Sequence, residues 1–201
     1  MRILIVFIFL ISSCGNSQKE VNNEQIVVRH GVAYEINSDK PFTGIRVRHH
    51  DNGQIESKWT YKNGIKNGPF VRYFENGGIY GKKNYKNGES HGEYLAYWKN
   101  GQLYERRIYE NGERTLQEYY RKNGQIEGRD IYKNGENIKT EFYDEQNGQL
   151  YERRIYENGE RTLSEYYRKN GQIEAREIFK NGWEIIKTEI YDEQGNLYDE
   201  D

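Results

Sequence analysis

Three sets of side chains in this sequence have the types and spacing to do chemistry. His49-His50 is the only histidine pair in the 201 residues. Neighbours on a strand point to opposite faces, so two adjacent imidazoles cannot share one metal ion without a bulge. One cysteine and four histidines exclude a disulfide framework and imply no structural zinc site. Glu105 and Glu110, which recur as Glu152 and Glu157, form the second set. They would serve as an acid and base couple only in a dry pocket that separates their pKa values, and the surrounding sequence offers none. No nucleophile motif, phosphate loop or metal-ligand spacing is present, so the sequence predicts neither catalysis nor a cofactor.

The third set pairs tyrosine with arginine: Tyr104 with Arg106, and Tyr151 with Arg153. Such pairs are enriched in binding surfaces. Residues 101 to 135 match 148 to 182 at 31 of 35 positions, so the two pairs occupy the same setting in a tandem duplication, 101–147 and 148–194. Strict alternation places Tyr104, Arg106 and Ile108 on one face, and Leu103 and Tyr109 on the other. The expectation is a protein partner docked across both duplicates, so that two modest contacts act together. The arginines have a second reading as cross-strand partners of the many glutamates.

Cys14 carries the remaining reactive group. Met1 and Arg2 precede nine apolar residues, Ile3 to Ile11, then Ser12, Ser13 and Cys14. Nine residues do not span a bilayer, but a positive start, an apolar run and small residues at the cut describe a secretory signal peptide over 1–13. Ile11-Ser12-Ser13-Cys14 resembles a bacterial lipobox, which implies acylation of Cys14 and a lipid-anchored protein of the cell envelope. Several acyl chains at about 0.8 kcal/mol per buried methylene meet the two-signal requirement for stable anchoring. The polar residues through Gln25 read as a flexible tether over 14–25.

These groups must be positioned by a chain poor in core formers. Mean hydropathy is −1.12, and beyond residue 13 Leu, Ile, Val and Phe make up 33 of 188 residues, a fraction at which disorder becomes the default. Nineteen tyrosines and a net charge of −2 point the other way, since rings supply buried area and there is little self-repulsion. The charge balance also excludes a basic nucleic-acid binder. Asn-Gly occurs 13 times, where chance gives about two. The turn glycines alternate at intervals of 11 and 12 or 13, which defines a unit of 23 or 24 residues with two non-equivalent turns. Segments of nine to eleven residues between turns are too short for helices and suit strands, and Asn-Gly favours the two-residue type I′ hairpin turn. The predicted fold is therefore all-β: an elongated single sheet of stacked antiparallel hairpins over 26–201. Thirteen or fourteen strands would make a ribbon of roughly 65 Å. Asp199, Glu200 and Asp201 would place charge on its last edge.

Arg29-His30-Gly31-Val32-Ala33-Tyr34, Lys40-Pro41-Phe42-Thr43-Gly44, Asp51-Asn52-Gly53-Gln54-Ile55 and Tyr61-Lys62-Asn63-Gly64 resemble the opening of bacterial MORN-repeat-variant proteins. The likeness runs from about residue 29 to the end. Gly68 before Phe70 and Gly92 before Tyr94 keep the family's Gly-aromatic start of a second strand, whereas later units carry Leu116, Ile138, Leu163 and Ile186. The resemblance implies a MORN-like hairpin ribbon that binds or scaffolds. Many members are labelled antitoxins of toxin-antitoxin systems, which makes a toxin the specific form of the protein partner. The alternative it implies is a structural envelope protein that binds phospholipid head groups or glycan.

Overall fold

The computed structural model describes residues 18–198. Cys14, the whole leader over 1–13 and the tether through residue 17 lie outside the described residues, as do Asp199, Glu200 and Asp201. The chain forms sixteen strands: β1 (Glu20–Asn22), β2 (Ile26–Arg29), β3 (Val32–Glu35), β4 (Gly44–His49), β5 (Ile55–Lys62), β6 (Ile65–Tyr73), β7 (Ile79–Lys86), β8 (Glu89–Tyr97), β9 (Leu103–Glu110), β10 (Glu113–Tyr120), β11 (Ile126–Lys133), β12 (Glu136–Tyr143), β13 (Leu150–Glu157), β14 (Glu160–Tyr167), β15 (Ile173–Lys180) and β16 (Glu184–Ile190). Fourteen of them make one sheet in the order β1, then β4 to β16 in sequence, so each hairpin pairs only with its neighbours. This is the expected quasi-one-dimensional stack. The elements β9 to β12 recur as β13 to β16, which reproduces the duplication in three dimensions.

The sheet begins earlier than the sequence predicts. Residues 20–25, placed in the tether, form β1 and a turn of 3-10 helix, and β1 pairs in parallel with β4. The cause is Val21, whose side chain is buried with Ile26, Ala33, Phe42 and Tyr61 in the cluster of buried apolar residues that caps the ribbon. The β2–β3 hairpin closes this cap.

Two turn chemistries alternate. At Asn63-Gly64 and its five counterparts both residues have positive φ, 51° and 77° in the first, as a type I′ turn requires. At Asn52-Gly53 and its counterparts only the glycine does. There the Gly53 amide bonds the His50 carbonyl at 2.9 Å, and the Asn52 side chain accepts from the Gln54 amide at 3.0 Å. That geometry is a type I turn closed by a left-handed glycine, so the expected type I′ turn holds for one of the two sets.

The second departure lies inside the strands. Ala96 pairs with Glu105 but Tyr97 pairs with Leu103, which leaves Tyr104 as the extra residue of a bulge. Tyr151 is the extra residue at the equivalent place, between Glu152 opposite Phe142 and Leu150 opposite Tyr143. A bulge sets two residues against one and breaks the two-residue period.

Candidate binding surface

The bulges decide which side chains share a face. Directly paired residues point the same way, so one row runs Arg106, Glu118, Arg129, Glu141, Arg153, Glu165, Arg176, Glu189 across eight strands. Most adjacent members are ion pairs: Arg106–Glu118 3.0 Å, Arg129–Glu118 2.8 Å, Arg153–Glu141 3.3 Å, Arg153–Glu165 3.2 Å and Arg176–Glu165 3.0 Å. Tyr120, Tyr143, Tyr167 and Tyr191 each donate a hydroxyl hydrogen bond to the glutamate two residues before them, at 2.7–3.0 Å. Beside this row an aliphatic one runs Ile108, Leu116, Ile131, Lys139, Ile155, Leu163, Ile178, Lys187. Together they form the ladder face.

Arg106 and Arg153 therefore sit within a saturated ionic row, and Tyr104 and Tyr151 lie on the opposite face. Tyr104 packs on Trp98, ring centroids 5.1 Å apart, with Tyr80 and Glu105 beside it. Tyr151 packs on Phe142 at 6.2 Å. The expected set of Tyr104, Arg106 and Ile108 on a single face is thus divided, and Leu103 joins Arg106 while Tyr109 joins Tyr104. Glu105, of the supposed acid and base couple, is buried and holds Arg107 at 2.6 Å. His50 Nε2 donates to the Tyr73 carbonyl at 3.0 Å.

The face that carries Tyr104 differs between the two halves of the ribbon. In the carboxyl half this face is matched locally in part, as in Arg154–Glu152 at 2.6 Å and in Asp130, which accepts from Thr140 at 2.7 Å, while Arg114 and Arg161 each lie singly over a ring, 4.0 Å from the Tyr132 centroid and 3.8 Å from that of Phe179. From β4 to β9 it carries rings and cations. Phe74 meets Tyr80 edge-on at 5.2 Å, and the pair is repeated 24 residues on by Trp98 and Tyr104. With Lys99 and Lys122 at the rim they line a cleft of about 590 Å³. Burial, followed by the Tyr80 hydroxyl, pushes the Tyr104 phenol well above its ordinary range.

Tyr80 also borders a second depression, whose floor is Trp59, Phe70, Tyr85 and Tyr94. Lys66 Nζ lies 4.3 Å from the Trp59 ring centroid and 5.1 Å from that of Tyr85, and Lys83 Nζ lies 4.5 Å from Tyr85. Burial, and then Arg46, lowers the pKa of Lys66. Burial, then Lys66 and Arg107, lowers that of Lys83. Burial and the neighbouring phenols push Tyr85 up to about 12. Arg48 and Arg72 share Glu56, and Arg107 has Glu105. Among the described residues no carboxylate comes within ion-pair distance of Lys66, Lys83 or Arg46, and Arg46 instead donates to the Asn23 side chain at 2.8 Å. Cation and ring thus stand together without counter-charge.

Tyr104, of the predicted tyrosine and arginine pairs, lines the cleft of this groove, whereas Arg106, Tyr151 and Arg153 lie away from it. Its signal is present in the sequence: residues 42–111 hold 12 Lys and Arg against 7 Asp and Glu, whereas 112–198 hold 14 against 18. The overall charge near zero conceals that division.

A ribbon of hairpins with an open groove on one face is a repeat scaffold of the kind that presents an extended surface. Three of its segments, residues 42–63, 66–87 and 90–111, match the MORN repeat variant family, each spanning two successive strands. Three hairpins between residues 42 and 111 therefore match the MORN repeat variant, and the groove lies on them. No curated protein matches the chain. Among solved structures, an S. aureus TarM mutant in complex with Fondaparinux, alpha-GlcNAc-glycerol and UDP is 12% identical over 47% of this chain, with a TM-score of 0.35. A GtfA/B complex bound to UDP and GlcNAc is 13% identical over 60%, with a TM-score of 0.22. The chain spans 19% and 22% of those chains, and likenesses this slight carry no functional argument.

Proposed function

We propose that this protein is a non-enzymatic scaffold, anchored in a bacterial cell envelope through lipid on Cys14, that captures a protein partner on the groove face of β4 to β9. The observation that carries the reading is the coincidence of half-buried cations lacking counter-charge with partly exposed ring pairs, on the same strands that match the repeat family. Tryptophan, tyrosine and arginine side chains in a desolvated depression are what dominate binding energy at protein interfaces, and Trp59, Tyr80, Tyr85 and Tyr94 stand together here. The family resemblance gives a toxin as the specific partner, with neutralisation as the outcome. The same cations also support the second reading, a structural envelope protein whose surface holds phospholipid head groups or glycan.

Capture from detergent-solubilised envelope tests the first reading. Phe74→Ala with Trp98→Ala should lower recovery of the protein partner at least about tenfold, as expected when two interface rings are removed. Tyr151→Ala with Arg153→Ala, on the saturated half, should leave it unchanged. Equal recovery by all three proteins refutes the groove as the docking surface. If the recovered partner is a toxin, co-expression of the wild type should relieve its growth arrest and the groove variant should not. The anchor is tested separately: Cys14→Ser should abolish acyl labelling and release the protein from the membrane fraction, and retained labelling excludes acylation at Cys14.

A further inference from the structure

The half-buried lysines of the groove stand one strand step from the aromatic cleft, and this fixes the chemistry that fits both. Tyr80 is the extra residue of a bulge, between Gly81 opposite Arg72 and Ile79 opposite Tyr73, which puts it on the same face as Lys83 three residues on, about 10 Å along the strand. A ligand parallel to β7 in the extended polyproline II form, whose three-residue turn advances about 9 Å and returns side chains to the same side, therefore meets the ammonium groups and the cleft with residues three positions apart. Lys66 and Lys83 both lie within 5.1 Å of the Tyr85 ring centroid, so one acidic group can reach both. Burial first, and then the neighbouring cations, lowers the pKa of both. Charge complementarity calls for an anion at this point and an apolar group at the cleft.

Building on the proposal that this face binds a protein, we infer that the occupant is an extended acidic segment of that partner, with a carboxylate over Tyr85 between Lys66 and Lys83 and an apolar or aromatic side chain between Tyr80 and Trp98. The geometry favours a polypeptide over a membrane surface. Lys66 and Lys83 lie half-buried among rings, whereas cations that engage a bilayer extend outward to reach its head groups. A chain that alternates anchor and charge along β7 enters such a groove, and a planar surface does not.

The test uses a fluorescein-labelled peptide of Glu-Ser-Ser-Phe repeats, its Gln-Ser-Ser-Phe and Glu-Ser-Ser-Ser counterparts, and vesicles containing phosphatidylglycerol. Binding to the full chain is read by anisotropy for peptides and by flotation for vesicles. The Glu-Ser-Ser-Phe peptide should bind about tenfold more tightly than either counterpart, the scale of one charge-assisted contact or one buried ring. Lys66→Gln with Lys83→Gln should remove the preference for glutamate over glutamine and leave the glutamine peptide's affinity unchanged. Lys66→Arg with Lys83→Arg should retain the preference, and its circular dichroism should match the wild type, which guards against unfolding as the cause of loss. Equal binding of the Glu and Gln peptides overturns the inference. So does tighter, lysine-dependent binding of the vesicles. If the peptides fail while partner capture still depends on Phe74 and Trp98, the acidic-segment inference falls and the scaffold reading stands. If both fail, the reading of the groove falls as well.

Discussion

Gly64→Ala should destabilise the protein by about 3 kcal/mol, whereas Gly135→Ala should cost about 1 kcal/mol. Both glycines occupy the second position of a type I′ turn after an asparagine of positive φ, with φ of 77° and 81°. The backbone penalty of placing a side chain in the left-handed region is therefore common to both. They differ in what a Cβ would meet. At Gly135 nothing lies within 4 Å. At Gly64 the added atom would sit 2.3 Å from Val32 Cγ1 and 2.9 Å from the Ala33 carbonyl oxygen, so the β2–β3 cap has to move. The same glycine joins cap to sheet through its backbone: its amide bonds the Phe42 carbonyl at 2.7 Å, and its carbonyl accepts from the Ala33 amide at 2.9 Å. Urea unfolding of the two variants measures the difference. The loss in Gly64→Ala should be accompanied by exposure of the buried cluster around Val21, Phe42 and Tyr61. Equal losses in the two variants would show that the cap does not bear on the stability of the first repeat.

Glu141→Gln should cost about 2 kcal/mol, while Glu189→Gln should leave the unfolding transition close to that of the wild type. Glu141 is 5% exposed and accepts from Lys139 at 3.1 Å, Arg153 at 3.3 Å, Arg129 at 3.5 Å and the Tyr143 hydroxyl at 3.0 Å. Its neutral replacement leaves Arg129 and Arg153 with one glutamate each, Glu118 and Glu165, which keeps the cost below that of orphaning a buried charge. Glu189 ends the row on the edge strand β16, where among the described residues its one ion pair is with the exposed Lys187 at 2.6 Å. The acid response follows from the same contacts. Burial works to raise the pKa of Glu118, Glu141 and Glu165, and the hydrogen bonds and cations around each overcome it and hold all three below the ordinary 4.5. A carboxylate whose pKa is depressed on folding contributes stability that is fully present above its unfolded value and is lost as pH falls through its folded value. Stability should thus hold at neutral pH and decline from about pH 4.5 downward. The decline should be shallower in Glu141→Gln, which has one such group fewer. Parallel pH profiles for the two proteins would remove Glu141 from the acid response.

The difference between the two halves explains why these effects separate from binding. The carboxyl half commits Arg129, Arg153 and Arg176 to a ladder of glutamates, and alteration there should change stability. The amino half leaves Lys66 and Lys83 without carboxylates, and alteration there should change recognition with little loss of fold.

The sequence alone determined the architecture. Twelve of the thirteen Asn-Gly pairs fall at two alternating intervals and admit only short strands and tight turns, because these turns demand a backbone conformation that most other residues avoid and each segment between them is too short for a helix. The duplication and the even distribution of rings followed from counting residues. The faces did not. Alternation inferred from residue number assumes an unbroken two-residue period, and the bulges at Tyr104 and Tyr151 break it, which moves each tyrosine away from the arginine two positions later. Nor could the sequence tell which arginines were already matched. Arg106 and Glu118 are twelve residues apart and Arg129 follows eleven later, so their pairing depends on register across strands and not on proximity in the chain. The tether showed the same limit at smaller scale, since Val21 is an unremarkable residue in a polar stretch until a parallel pairing with β4 buries it. Local backbone chemistry fixed what kind of sheet this is. Only the assembled sheet, where register brings distant charges together or leaves them alone, decided that its open valences lie on β4 to β9.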